Sequence, residues 1–205
     1  MFLSKLVLNQ DSYRVQKELG NPYQLHRTIM NAFPDNLKEL KNDGRVLFRV
    51  EKNSTQSSPY VLVQSSLCPD WNFLLNHKYL ITDPLFKQFN YPQFLKGNKY
   101  KFRVFANPTK KVEGKRVGMY NEEKQYEWLK KKAEIGEFSI LHVSITRKEE
   151  INAKVKKNSN KMTFYGVQFE GVLQVIDVVK FENILKSGIG SGKAFGFGLL
   201  SISKL

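Results

Sequence analysis

The chain has 205 residues, and 33 Lys and Arg against 19 Asp and Glu give it a formal net charge of +14. This length predicts one large domain or two small ones. No apolar run reaches the roughly 18 residues that a membrane-spanning helix needs, so we expect no membrane partner. The single cysteine, Cys68, excludes an intramolecular disulfide framework and a zinc site of paired cysteines. It favours a reducing, cytoplasmic location.

The excess of positive charge indicates a polyanionic partner, and nucleic acid is the commonest polyanion in a cytoplasm. Charge alone does not establish this, because many small proteins are basic for solubility. The sequence motifs are therefore needed to distinguish a nucleic-acid partner from charge that serves solubility.

The first half of the chain predicts a β-α-β-β-α-β order. Asn21-Pro22 provides a helix N-cap followed by proline at the first helical position, and the helix is expected to continue to about Phe33. A short helix is expected at 70–76, and strands are expected at 2–9, 45–50, 60–64 and 77–81. This order is that of a ferredoxin-like domain, with a weak second helix.

The second half repeats the pattern after a break at Asp83-Pro84 and Tyr91-Pro92. Strands are expected at 100–105, 138–145, 165–176 and 195–202, and helices at 122–133 and 178–185. The predicted fold class is therefore α+β, with two tandem ferredoxin-like domains at 1–90 and 95–205.

The helix that begins at Pro22 has two distinct faces. At about 100° per residue, the apolar face carries Leu25, Ile29 and Ala32, and the other carries Tyr23, His26, Arg27 and Met30. An imidazole titrates near 6.5, so His26 could transfer a proton in either direction. Taken alone, the helix favours a solvated face with an incidental histidine.

A glycine-rich run, SGIGSGKAFGFGLLSI, stands near the C-terminus. Its spacing fits neither a Walker A loop nor a dinucleotide-binding fingerprint. It predicts a loop in which Gly190 and Gly192 let the backbone approach an RNA phosphate, while Lys193 adds positive charge. The alternative is a flexible connection between a helix and a strand, which five glycines in eleven residues disfavour.

Two lysine-rich segments are candidates for contacts with RNA phosphates. The first lies between two predicted strands and contains Lys154, Lys156, Lys157 and Lys161, and the second contains Lys110, Lys111, Lys115 and Arg116. A basic hairpin can bind an RNA groove without reading sequence. A solvated loop explains either segment equally well.

Metal and hydrolase motifs are poorly supported. His26, His77 and His142 are far apart, and no HExxH, Asp-rich or G-x-S-x-G pattern occurs. We therefore expect no metal site and no small-molecule cofactor.

Five segments together resemble the CasE family, the CRISPR repeat-processing endoribonucleases of the type I-E Cascade complex. They are NPYQLHRTIMNAFP, VLVQSSLCPDW, FRVFANPTKKVEGKR, VQFEGVLQV and GIGSGKAFGFGLLSI. The resemblance runs nearly end to end, and the closing glycine block is its most specific part. The fold of that family is two tandem ferredoxin-like domains.

The resemblance implies metal-independent cleavage of a CRISPR precursor RNA within its repeats. Attack by the 2′-hydroxyl would leave a 2′,3′-cyclic phosphate and a 5′-hydroxyl. The family's catalytic Tyr and His fall on Tyr23 and His26, and the division of acid and base roles between them stays open. Some members carry a lysine where this chain has Asn31, so Arg27 or a lysine from elsewhere is expected to supply the positive charge.

The resemblance also implies the RNA-binding residues and the partners. Lys156, Lys157 and Lys161 would contact the groove of the repeat stem-loop, and Gly190, Gly192 and Lys193 would line the RNA path. The expected partners are the repeat RNA and other Cascade subunits, with the processed RNA retained after cleavage. The alternative is a non-catalytic RNA-binding subunit of a CRISPR ribonucleoprotein, which would need the charge and the glycine loop but not His26.

Overall fold

The computed structural model describes residues 1–34, 45–52, 58–75, 78–155 and 161–205. The chain forms two compact units. The first unit contains Met1–Asn90, Asn152–Met162 and Ala194–Gly196, and the second contains Tyr91–Ile151, Thr163–Lys193 and Phe197–Leu205. The segment that follows residue 151 and a short piece of the glycine-rich run therefore belong with the N-terminal residues.

The first unit is built on a four-stranded antiparallel sheet in the order β2-β3-β1-β4. Its elements are β1 (Phe2–Val7), α1 (Tyr13–Leu19), α2 (Pro22–Met30), β2 (Val46–Glu51), β3 (Tyr60–Ser65), a 3₁₀ turn (Asn72–Leu74) and β4 (Leu85–Gln88). The strand β1 is central, with Leu6 opposite Val61 of β3.

Helix α2 forms where its pattern predicts it. Pro22 occupies the first turn, and Leu25, Ile29 and Ala32 are buried in the core of the unit. The α-helix ends at Met30, before the predicted end at Phe33. The N–H groups of Ala32 and Phe33 donate to carbonyls three residues earlier, so the chain tightens into a 3₁₀-like last turn.

The predicted strand at 77–81 is wrong in the described part of this segment. His77 lies outside the described residues, and Leu80 makes only an isolated bridge to Leu8. The fourth strand is instead β4, which pairs with β1 at the edge of the sheet. All four residues of β4 are exposed, so the strand lacks the alternation that identifies a half-buried strand.

The second unit repeats the sheet in the order β10-β5-β9-β8. Its elements are β5 (Lys99–Ala106), β6 (Thr109–Val112), β7 (Lys115–Gly118), α3 (Glu122–Ile135), β8 (Phe138–Ala153), β9 (Met162–Val175), α4 (Val178–Ser187) and β10 (Leu200–Lys204). The last strand begins later than the predicted residue 195, because a 3₁₀ turn occupies Lys193–Phe195. The β6–β7 hairpin and helix α1 are additions that the pattern does not predict.

Both units share the ferredoxin-like arrangement. Numbered within each unit, the strands lie in the order 4-1-3-2, and the chain runs β-α-β-β-α-β, with a 3₁₀ turn as the second helix of the first unit. The predicted fold class is confirmed. Among the described helices, none combines the length and the apolar character needed to span a bilayer.

Candidate active site

His26 lies half-buried on α2, with its imidazole facing the ring of Phe48 on β2. The ring centroids are 6.3 Å apart and the planes are tilted by 55°. Burial lowers the pKa of His26 below its usual 6.5, because a poorly solvated environment disfavours the charged imidazolium. The imidazole is therefore neutral at neutral pH and can accept a proton.

Tyr23 lies one turn before His26 on the same helix and is half-buried. Side chains three residues apart are neighbours on a helix surface, with about 5–6 Å between their Cβ atoms. Arg27 is exposed, and its Nη1 donates to Oε1 of Gln24 at 3.4 Å. The structure thus places a phenol, a neutral imidazole and a guanidinium along one short stretch of α2.

A buried hydrogen-bond network holds the other side of α2. Oε1 of Glu18 accepts from Oγ1 of Thr28 and from Nε of Arg14, both at 2.9 Å, and Oε2 accepts from the hydroxyl of Tyr79 at 2.6 Å. Burial and the carboxylate of Glu18 raise the pKa of Tyr79, which keeps its hydroxyl protonated as a donor. Thr28 lies about 200° around the helix from His26, so the network anchors α2 without occupying the His26 face.

Asn21 joins the start of α2 to the lysine-rich segment. Its side-chain amide exchanges two hydrogen bonds with the backbone of Lys154, one donated at 3.0 Å and one accepted at 3.2 Å. Lys154 and Lys161 are both exposed. Lys156 and Lys157 lie outside the described residues.

Phe48 also contacts the glycine-rich run. A Cβ placed on Gly196 would lie 3.1 Å from Cε2 of Phe48, so the backbone at Gly196 packs directly on this ring. Gly196 and His26 belong to the same compact unit although 170 positions separate them in the chain. One aromatic ring therefore contacts both the candidate catalytic helix and the C-terminal motif.

Gly190, Gly192 and Lys193 belong to the second unit. The two glycines have φ of +76° and +79°, and added Cβ atoms would lie 2.8 Å from Trp128 and 2.9 Å from Phe197, respectively. Packing therefore requires glycine at both positions, whether or not RNA binds there. Nζ of Lys193 donates to the carbonyl of Ser187 at 2.6 Å.

The second lysine-rich segment forms the β6–β7 hairpin. Lys110, Lys111, Lys115 and Arg116 are all exposed on it, and Lys111 lies opposite Arg116. Successive side chains of a strand point to opposite faces, so Lys111 and Arg116 share one face of the hairpin and Lys110 and Lys115 share the other. The role of this hairpin in RNA binding stays a prediction.

Within the described residues, no group of three or more His, Cys, Asp or Glu is arranged to hold a metal ion. His142 is exposed on β8, and Cys68 is an exposed free thiol. The chemistry that α2 itself offers is proton transfer, because it carries a neutral imidazole beside a phenol.

Sequence patterns did not identify Asn21, Phe48 or Glu18 as part of this region. The sequence predicts Asn21 as an N-cap, but its side chain makes no capping hydrogen bond, and its contact with Lys154 uses backbone atoms that any residue would supply. Phe48 resembles any other core residue of a strand. The spacing of Arg14 and Glu18, four residues apart, was a usable signal for helix α1.

The fold and these side chains define a class of protein: a strongly basic pair of ferredoxin-like units with proton-transfer groups on a first-unit helix. A family model for CRISPR-associated proteins matches residues 1–204. The CRISPR-associated endoribonuclease Cse3 of Thermus thermophilus is 34% identical over 215 aligned residues, covering 99% of this chain and 100% of the relative.

Two further comparisons agree. The CRISPR system Cascade subunit CasE of Escherichia coli is 29% identical over 219 aligned residues, covering 100% of both proteins. The structure of Thermus thermophilus Cse3 bound to an RNA representing a pre-cleavage complex matches with a TM-score of 0.86 at 33% identity, covering 98% of each chain. The chain therefore belongs to the CRISPR-associated protein family, among the Cse3 and CasE endoribonucleases.

Proposed function

We propose that this protein cleaves CRISPR precursor RNA within its repeats and that α2 carries the catalytic groups. The 2′-hydroxyl of the nucleotide before the cut attacks the adjacent phosphorus, and the bond to the 5′-oxygen of the next nucleotide breaks. The products are a 2′,3′-cyclic phosphate and a 5′-hydroxyl. The observation that carries the proposal is the half-buried His26, of lowered pKa, one turn from Tyr23.

Two proton transfers are needed in this reaction. A base removes the proton of the 2′-hydroxyl, and an acid supplies a proton to the leaving 5′-oxygen. His26 suits the first role, because burial holds its imidazole neutral at cellular pH. Tyr23 offers a hydroxyl that can donate to the leaving oxygen or orient the attacking group. A metal ion is not required for either transfer.

Positive side chains stabilise the negative charge that develops on the phosphorane oxygens. Asn31 is exposed and uncharged, so the charge has to come from other residues. Arg27 lies next to His26 on α2, and Asn21 holds the backbone of a second basic residue, Lys154, at the start of the helix. We assign to both the task of binding the phosphates beside the cut.

The remaining assigned residues bind RNA away from the cut. Lys156, Lys157 and Lys161 contact the groove of the repeat stem-loop, and Gly190, Gly192 and Lys193 line the path of the strand. The Escherichia coli relative is a Cascade subunit by name, which supports assembly of this protein with other Cascade subunits. Because the proposed substrate is a transcript, we also propose that the reaction takes place in the cytoplasm.

The test uses purified protein and a repeat RNA in EDTA, under single-turnover conditions. We expect cleavage at one phosphodiester and a 2′,3′-cyclic phosphate on the upstream fragment. Replacing the single 2′-hydroxyl before that phosphate by hydrogen should abolish the cut and leave binding intact. Cleavage of the 2′-deoxy RNA contradicts the mechanism. Tight binding without any cleavage identifies a non-catalytic RNA-binding subunit instead.

A further inference from the structure

Asn21 stands immediately before α2, at the position where a side chain normally caps the helix. Within the described residues, the side chain of Asn21 makes no capping hydrogen bond to α2. Its Nδ2 instead donates to the carbonyl oxygen of Lys154 at 3.0 Å, and its Oδ1 accepts from the backbone N–H of Lys154 at 3.2 Å. These two antiparallel bonds fix both the distance and the orientation of residues 133 positions apart.

The other long helices show that this arrangement is specific. Asn121 caps α3 by accepting from the N–H of Lys124, and Asp177 caps α4 by accepting from the N–H of Lys180. Asp and Ser cap a helix about as well as Asn. Of these three side chains, however, only the amide of Asn carries a donor and an acceptor on two different atoms of one planar group. The choice of Asn at position 21 is therefore explained by Lys154 rather than by α2.

The energetic effect of this contact on folding is small. Both bonds are exposed to solvent, where water competes for the same donors and acceptors. The contact instead fixes the position of Lys154 relative to the start of α2. On one side of it, α2 carries Tyr23 and His26, and on the other side lies Lys154, whose side chain is exposed.

We propose that Asn21 is a positioning residue that holds Lys154, a phosphate-binding lysine of the proposed function, in place relative to the proton-transfer groups of α2. This inference rests on the proposed function. Lysine side chains can bind the phosphates of the repeat without being aligned with α2. Cleavage, however, requires the 2′-hydroxyl to lie in line with the scissile bond and within reach of His26. By fixing Lys154 to the start of α2, Asn21 keeps RNA that is bound at Lys154 in a constant position relative to the catalytic groups of α2.

The test compares three variants under single-turnover conditions. Asn21→Ser and Asn21→Asp both place a good N-cap residue before α2 and both disrupt the contact, since Ser lacks the paired atoms and Asp sets a carboxylate against the Lys154 carbonyl. We expect the rate at saturating protein to fall about 10-fold to 100-fold in both, because small misplacements of reacting groups have effects of that size. The protein concentration for half-saturation should change much less. The matched control, Asn121→Ala, removes an ordinary cap and should retain the wild-type rate.

A lower cleavage rate with nearly unchanged RNA affinity distinguishes a positioning role of Asn21 from a general structural role. A loss of folded protein would appear as a lower melting temperature and a lower active fraction, and Asn121→Ala would share it. Wild-type rates in Asn21→Ser and Asn21→Asp, or losses that follow the melting temperature in all three variants, overturn the inference.

The variant His26→Ala tests the proposed function separately from this inference. If His26→Ala cleaves at the wild-type rate, the assignment of α2 as the catalytic helix fails. If it is inactive while the two Asn21 variants remain fast, only the positioning role fails.

Discussion

The imidazole of His26 lies against the ring of Phe48, with 6.3 Å between the ring centroids. Phe48 is 1% exposed, so it presents a dry apolar surface to the imidazole. This environment disfavours the imidazolium and lowers the pKa of His26. Phe48, a residue of the core sheet, is thus part of the buried environment that favours the neutral form of His26.

Phe48→Leu should therefore shift the pH dependence of cleavage. A smaller side chain admits water to the imidazole, which raises the pKa of His26 toward its usual value and leaves less neutral base in mildly acidic solution. The acidic limb of the single-turnover rate profile should move to higher pH. The matched control is Phe33→Leu, which changes another buried aromatic residue of the same core and should leave the profile in place. Identical profiles in both variants would show that Phe48 does not tune His26.

His26→Ala should lower the single-turnover rate by about 10²-fold to 10⁴-fold, the usual value of a general acid or base. Binding of the 2′-deoxy repeat should stay near wild type, because the apolar face of α2 with Leu25 and Ile29 is untouched. Tyr23→Phe should have a comparable effect if its hydroxyl transfers a proton, and a smaller one if it only orients its neighbour. Full activity in His26→Ala would remove the catalytic assignment from this helix.

Short-range periodicity was sufficient to predict α2 and the repeated β-α-β-β-α-β order, because a buried helix face and alternating strands leave regular spacings in the chain. It failed at β4, since an edge strand with four exposed residues leaves no such spacing. It predicted the C-terminal strand but placed its start too early, because a 3₁₀ turn occupies Lys193–Phe195 and the strand begins at Leu200.

The candidate site was predictable only in part, for a different reason. Tyr23 and His26 share one helix, so their proximity follows from sequence spacing. The contacts of His26 with Phe48 and of Asn21 with Lys154 depend on tertiary packing across 22 and 133 positions. An apolar core residue and a backbone carbonyl carry no residue-type signal that could have identified these partners.

The pH dependence of folding gives a second measure of the environment of His26. Its pKa is lower in the folded protein than in the unfolded chain, so the unfolded chain binds a proton first as the pH falls. Stability is therefore unaffected well above pH 6.5 and is lost as the pH falls through the unfolded value toward the folded one. The free energy of unfolding should drop less between pH 7.5 and 5.5 in His26→Gln than in wild type, measured by urea denaturation. An equal drop in both proteins would show that burial does not perturb this histidine.

Gly190→Ala should destabilise the second unit more than Gly114→Ala. Both glycines have a φ near +76°, where an L-residue is strained by about 1–2 kcal/mol. A Cβ at Gly114 meets nothing within 4 Å, whereas one at Gly190 lies 2.8 Å from Cζ2 of Trp128. Overpacking of this kind typically adds about 1–3 kcal/mol. Urea denaturation of both variants measures the difference, and equal losses would mean that Trp128 moves aside without cost.

Removal of Lys156, Lys157 and Lys161 together should weaken repeat binding and reduce its dependence on salt. Each lysine that neutralises a phosphate releases counterions, so each lost contact should lower the slope of log affinity against log salt by about 1. The matched control removes three exposed lysines of other surfaces, Lys17, Lys87 and Lys96, and so changes the net charge by the same amount. Long-range attraction would weaken equally in both triple variants, whereas direct phosphate contacts are lost only from the first. A salt slope that is unchanged, or that falls equally in both, would show that the lysine segment is a solvated loop.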